Sequence, residues 1–201
     1  HPGMGGLMSI DTLAALGVLG YVAKMGARMG NRLIFVTSQP VMIPVAEDII
    51  RQEYSAEGRP ELFRAEDVRF PAVFSDQLAL ATVDIMHKER TTSHFMFGNY
   101  DYTALLLTEP GQHTGAIQIA GTADYFQIPF FIASCDYTVI GEELYAASAY
   151  LTREPTMLGS LIGQDFSKII LLIIITLGTI AVTVSPTVIH IFDQFIGGPY
   201  K

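Results

Sequence analysis

Along the first 155 residues the apolar positions switch between helical spacing and short continuous runs, and the chain then ends on one long run without charge. Ser9 or Asp11 can cap a helix that reaches Gly30, with Gly26 and Gly30 as stop signals. Its small residues Ala14, Ala15, Gly17 and Gly20 permit close approach to another element. Residues 32–37 read as a buried strand, and Pro44 suits the first turn of a helix through Tyr54. Residues 55–67, charged and holding glycine and proline, form the expected loop, with Pro71 closing it. A helix is expected over about 75–90, where Leu78, Ala81, Ile85 and Met86 make an apolar face, and a strand over 94–97.

The next stretch, 103–124, is interrupted at Pro110-Gly111, and its second half from Gln112 to Thr122 is compatible with a helix. Residues 128–134 read as a buried strand whose proline suits only its first positions. Residues 141–153 make a helix with Glu142 and Glu143 in its first turn and Pro155 beyond its end. The expected fold is therefore α/β: a small, largely parallel sheet flanked by helices in Rossmann-like layers, formed by residues 1–155.

From 169 to 192 there is no Asp, Glu, Lys or Arg. That exceeds the roughly 20 residues a helix needs to cross the hydrocarbon core, so one C-terminal transmembrane helix is expected. Residues 156–168 read as a linker and 193–201 as a short tail, with Lys168 and Asp193 marking the interfaces and Pro186 kinking or ending the helix. Arg153 and Lys168 precede the span and only Lys201 follows it. The positive-inside tendency then puts the domain on the cytoplasmic side of a cell membrane. The opening His1-Pro2-Gly3 reads as a processed product or a portion of a longer polypeptide, and no secretory signal is visible, since the apolar stretch 7–25 carries Asp11 and Lys24.

The net charge of -8 and the lack of any basic run argue against nucleic-acid binding. The single cysteine, Cys135, excludes an internal disulfide and sits in an apolar stretch suited to a buried, inert thiol. The five histidines show no metal-ligand spacing, so neither a metal nor a cofactor is expected. Phosphate-binding loops, a nucleophile elbow and a zinc-protease helix are all missing from the sequence. Glu142 and Glu143 point in different directions on a helix and complement its dipole without a catalytic role.

One internal echo carries candidate chemistry. Phe95-Met96-Phe97-Gly98-Asn99-Tyr100-Asp101-Tyr102-Thr103 matches Phe130-Phe131-Ile132-Ala133-Ser134-Cys135-Asp136-Tyr137-Thr138 in apolar lead and Asp-Tyr-Thr ending, and residues 34–39 are a looser third version with Ser38. If these are parallel neighbouring strands, Ser38, Asp101 and Asp136, with Thr103 and Thr138, gather at their carboxyl ends, where open α/β sheets place ligands. Helix capping by the same acids is the competing and favoured expectation.

The run 132–137, the helix Gly141-Glu142-Glu143-Leu144-Tyr145-Ala146-Ala147-Ser148-Ala149-Tyr150 and the segment Gly121-Thr122-Ala123-Asp124 resemble an uncharacterised bacterial and archaeal family of membrane-anchored proteins, known as a domain of unknown function. The resemblance implies a soluble unit tied to membrane helices. It implies no activity and no catalytic residue. Two function classes follow: a non-enzymatic subunit or scaffold of a larger membrane complex, partnered by the bilayer and by other subunits or a second copy, or a binding protein or enzyme acting on a small polar ligand near Ser38, Asp101 and Asp136.

Overall fold

The computed structural model describes residues 1–153 and 155–184, and the chain divides into two compact units, 1–154 and 155–201. In the first unit the order is α1 (Ile10–Met29), β1 (Phe35–Val36), α2 (Met42–Ala56), β2 (Val68–Arg69), α3 (Ser75–Lys88), β3 (Ser93–Phe97), α4 (Thr103–His113), β4 (Ile117–Thr122), α5 (Ile128–Ser134), β5 (Tyr137–Ile140) and α6 (Glu143–Thr152). The second unit is described by one helix, α7 (Pro155–Val184).

The expected α/β class holds, with all pairings parallel and helices flanking the strands. The strands form two small sheets instead of one: β1 pairs with β2, and β3, β4 and β5 pair in that order. The short strand β2, which follows the charged segment, pairs with β1 and has no counterpart among the expected strands. That charged segment is ordered as two 3-10 turns, Pro60–Leu62 and Ala65–Asp67.

Helix α1 begins after Ser9, whose side chain makes no capping bond, and ends where Gly30 takes the left-handed conformation (φ 74°). That turn lets Asn31 donate its backbone N–H to the Gly26 carbonyl at 2.8 Å. Period-two alternation divides the β3–β4–β5 sheet between two helical layers. Phe95, Phe97 and Ile119 pack with Ala14, Ala15 and Val18 of α1 and Leu144 of α6. Met96 and Ala120 pack on the other face with Ala79 of α3, Leu107 of α4 and Phe131 of α5. A third cluster joins Leu19, Ala23 and Ala27 of α1 to Ile50 and Tyr54 of α2 and to Phe35 and Val68.

Two expected elements are corrected. Residues 128–134 are a helix, α5, because Pro129 in its first turn is already set for helical φ and its missing N–H costs nothing there. Burial follows the helical interval: Phe131 and Ser134 are buried, whereas Phe130 and Ile132 are exposed. The strand of this region lies just beyond, at β5. The stretch 112–122 is not a helix, because Gly115 (φ 71°) ends the helical course and releases β4. Helix α4 runs through Pro110 and Gly111, the latter so close to Gln118 that a Cβ there would lie 2.2 Å from its Oε1.

Helix α7 starts at Pro155, so the segment expected to be a linker is part of it. Its stretch Pro155–Ala181 is long and apolar enough to cross a membrane. Pro186 and the rest of the expected span beyond Val184 lie outside the described residues.

Candidate functional site

At the carboxyl ends of β3 and β4 the chain makes two polar turns, Gly98-Asn99-Tyr100-Asp101 and Ala123-Asp124, held by one buried amide. The Gln127 Oε1 accepts the backbone N–H of Tyr100 at 2.8 Å and the hydroxyl of Thr122 at 3.1 Å. Its Nε2 donates to Asn99 Oδ1 at 3.0 Å and Asp124 Oδ2 at 2.8 Å. Both acceptor sites and both donors of the amide are therefore used within the protein. The other Asp124 oxygen accepts the Phe126 N–H at 2.9 Å. A network so completely satisfied fixes the turns rigidly.

Residues 1–4 lie against this end of the sheet. Gly3 bridges Asn99 in parallel, and the Met4 N–H donates to the Asn99 carbonyl at 2.6 Å. The Tyr100 hydroxyl donates to the His1 carbonyl. Gly98 (φ 130°) is required, because a Cβ there would lie 2.3 Å from the Pro2 carbonyl oxygen.

The residues singled out in sequence do not converge. Ser38, buried, follows β1 in the two-stranded sheet. Asp101 follows β3 in the other sheet, exposed and left-handed (φ 51°). Thr103, at the buried start of α4, gives its hydroxyl proton to the Tyr100 carbonyl. Asp136 precedes β5 and so lies at the opposite end of the sheet from Asp101, where its Oδ2 accepts the Gln118 N–H at 2.8 Å. Thr138, within β5, donates to the Phe131 carbonyl at 3.2 Å.

The arrangement of Asp101 and Asp136 as equivalent strand-end acids is thus corrected: the second copy of the echo is a helix followed by an aspartate, not a strand. Capping is corrected too. Helix α4 has Tyr102 at its N-cap and no side-chain capping bond. Asp136 bonds across to a neighbouring strand, extending the β4–β5 pairing by one rung.

Sequence reasoning passes over Gln127, since an amide hub has no motif. It also misses a cavity of about 540 Å³ between α1, β1, α3 and β3, walled by Val18, Leu19, Val22, Phe35, Met86 and Phe95. No single segment builds this space, so no local pattern announces it. Arg32 and Glu89 belong to its lining, and the Arg32 guanidinium grips Asp67 (Nε to Oδ2, 2.8 Å) and Glu89 (Nη1 to Oε2, 2.7 Å). Arg69 also bonds Glu89 at 2.6 Å. Hydrogen bonds from Arg69, and then Arg32, hold the Glu89 carboxyl below the usual carboxylate range.

His94, also on the cavity wall, shares a 2.6 Å hydrogen bond between its Nε2 and Thr91, and burial favours its neutral form. Burial likewise pushes the Cys135 thiol up to about 11, which leaves it protonated and unreactive near neutral pH. Among the described residues no group of three His, Cys, Asp or Glu side chains could hold a metal ion.

No curated protein and no solved structure matches the chain. A family model, described as "Domain of unknown function (DUF6754)", matches residues 1–193. That match spans both units, the strand-end turns and the cavity walls, and the chain belongs to the DUF6754 family.

Proposed function

We propose that this chain is a membrane-anchored, non-enzymatic subunit or scaffold of a larger membrane protein complex. The observation that carries the reading is α7: a helix without Asp, Glu, Lys or Arg from Ile169 to Val184, with Ile169, Leu171, Leu172 and Ile174 all more than half exposed. Side chains of that size on every face of a helix have no favourable solvent but lipid or another apolar helix.

The polar turns add support, because the buried Gln127 amide spends all of its hydrogen-bonding capacity on holding them together. Gly159 and Gly163, one turn apart on α7 with open space around each, suit close approach of a second helix in a bilayer. The partners are then the lipid bilayer and other membrane subunits or a second copy. Arg153 and Lys168 before the apolar run favour a cell membrane with the first unit on its cytoplasmic side.

Purification from native membranes in mild detergent tests the reading. The expected result is a stoichiometric complex that dissociates when the chain ends at Gln164. A chain recovered alone and monomeric, carrying a bound small polar molecule that Asp101→Asn releases, would instead favour the ligand-binding alternative.

A further inference from the structure

The cavity has the shape of a missing rung in a sheet. On one side, Ile117 donates to Thr92 and Gly98 to Gly121, so the even-numbered residues of β3 turn their main-chain groups toward β4. Alternation then turns those of Ser93, Phe95 and Phe97 to the opposite edge. On the other side, the Thr37 N–H donates to Arg69 on β2 at 3.0 Å, which turns the groups of Ile34 and Val36 away from β2. Ile34, Val36, Ser93, Phe95 and Phe97 all line the cavity. Two strand edges therefore face each other across it, with α1 on one side and α3 on the other.

The upper part of this gap already holds the first residue of the chain in ladder register with β3. The His1 nitrogen donates to the Phe95 carbonyl at 3.0 Å, and the His1 carbonyl accepts the Phe97 N–H at 3.2 Å. These two bonds are the parallel-ladder pattern with His1 opposite Met96. Farther along, Gln39 after β1 donates to the Gly5 carbonyl at 2.8 Å, so the same segment is gripped from the β1 side. Continuing the ladder toward the cavity, the next main-chain groups of β3 are Phe95 N–H and Ser93 C=O.

We propose that the cavity seats one further β-strand of about three apolar residues, parallel to β1 and β3 and joined through the His1 nitrogen, which closes the two small sheets into one. Three positions, opposite Phe95, His94 and Ser93, span about 10 Å at the usual rise per residue. Both faces of such a strand would be covered, by Val18, Leu19 and Val22 on one side and Met86 on the other, which calls for a continuous apolar run. A lipid or another apolar small molecule would fill the volume but leave the ladder groups of both edges without partners. Covalent continuity with His1 distinguishes this strand from a separate peptide.

The test compares full-length chains in detergent micelles with Val-Ile-Val, Gly-Ser-Gly or Val-Pro-Val placed directly before His1. Hydrogen exchange at the Phe95 amide is the readout, because that N–H is the one the new strand should accept. Val-Ile-Val is expected to slow its exchange at least about tenfold relative to Gly-Ser-Gly and to raise Tm. Val-Pro-Val, which lacks the donor for the Ser93 carbonyl, should raise Tm less. Equal exchange in the Val-Ile-Val and Gly-Ser-Gly chains overturns the proposal. So does protection of Phe95 that appears in the unextended chain only at high protein concentration, since that places a second copy in the gap.

Discussion

Helices α1 and α7 both have the length and apolar content to cross a membrane, yet one forms the centre of the first unit and the other exposes its aliphatic side chains. The difference lies in side-chain size and in where charge falls. Helix α1 carries Ala14, Ala15, Gly17, Ala23 and Ala27 on faces that meet α2, α6 and the sheet, with Asp11, Lys24 and Arg28 elsewhere on its surface. Its charges have partners: the Asp11 carboxylate accepts the Tyr145 hydroxyl at 2.6 Å, and Arg28 meets Glu57 at 2.8 Å. Helix α7 keeps its charges, Asp165 and Lys168, before the apolar run, whose first seven residues, 169–175, are all Ile or Leu. Small residues make a helix that other protein surfaces can approach, and uniform large aliphatics make one that a fluid apolar solvent can surround. Length and apolar content alone do not separate the two.

That contrast predicts opposite responses to charge. Ala23 is fully buried against α2 and the β1–β2 sheet, so Ala23→Asp places an unpaired carboxylate in the core and should cost more than about 4 kcal/mol, enough to unfold the first unit. Circular dichroism of a chain ending at Gln164 reads this directly. A cooperative melt unchanged by the substitution would mean that α1 is not a core helix.

In α7 the same kind of change should spare folding and impair insertion. Ile173→Lys should cost about 2.5–3.5 kcal/mol of membrane insertion if Ile173 lies near the middle of the span, with the melt of the first unit unaltered. Flotation of the full chain with lipid vesicles measures it. Undiminished flotation would remove the bilayer as the solvent of α7.

The α1–α6 contact offers a sharper probe. A Cβ on Gly17 would lie 2.3 Å from the Ser148 hydroxyl and 3.0 Å from a Thr152 methyl. Gly17→Leu must therefore separate the helices, at a cost of about 1–3 kcal/mol by thermal melting. If the variant melts like the parent, α6 does not pack against this face of α1.

How much of this is legible in sequence depends on whether the signal is local. The end of α1 at Gly30, the helices around Ile50 and Leu78, the strand at Met96 and the apolar run of α7 each follow from periodicity, a stop glycine or length, and all are present, whereas the side-chain cap expected at the start of α1 is not made. The failures share a cause. Residues 128–134 are apolar enough for a strand or a short buried helix, and Pro129, which suits the first position of either, becomes a helix start once Phe131 and Ser134 pack inward. The second half of 103–124 turns on one left-handed glycine, Gly115. Assigning Ile132 to a strand carries Asp136 with it to the wrong end of the sheet. Strand β2 is too short to carry a period, and it exists because Asp67 and Arg69 are held by Arg32 and Glu89 across the fold. The cavity and the Gln127 hub are assembled from distant segments, and no window of sequence contains them.

The smallest expected effect compares glycines that differ only in what surrounds them. Gly20 lies three residues beyond Gly17 in α1, but a Cβ there would meet nothing nearer than a methyl of Ile49 at 3.6 Å, an ordinary van der Waals contact. Gly20→Ala should therefore gain about 0.5–1 kcal/mol, because alanine loses less backbone freedom on entering a helix. Gly178 in α7 has open space around it, so Gly178→Ala removes the same conformational freedom from a helix outside the first unit. The melt of the first unit should then rise for Gly20→Ala, fall for Gly17→Leu and stay within about 0.5 kcal/mol of the parent for Gly178→Ala. Thermal melting of all three full-length variants in the same detergent gives the ordering. A shift for Gly178→Ala as large as that for Gly20→Ala would mean that α7 contributes to the folding of the first unit, and the two apolar helices would no longer have separate roles.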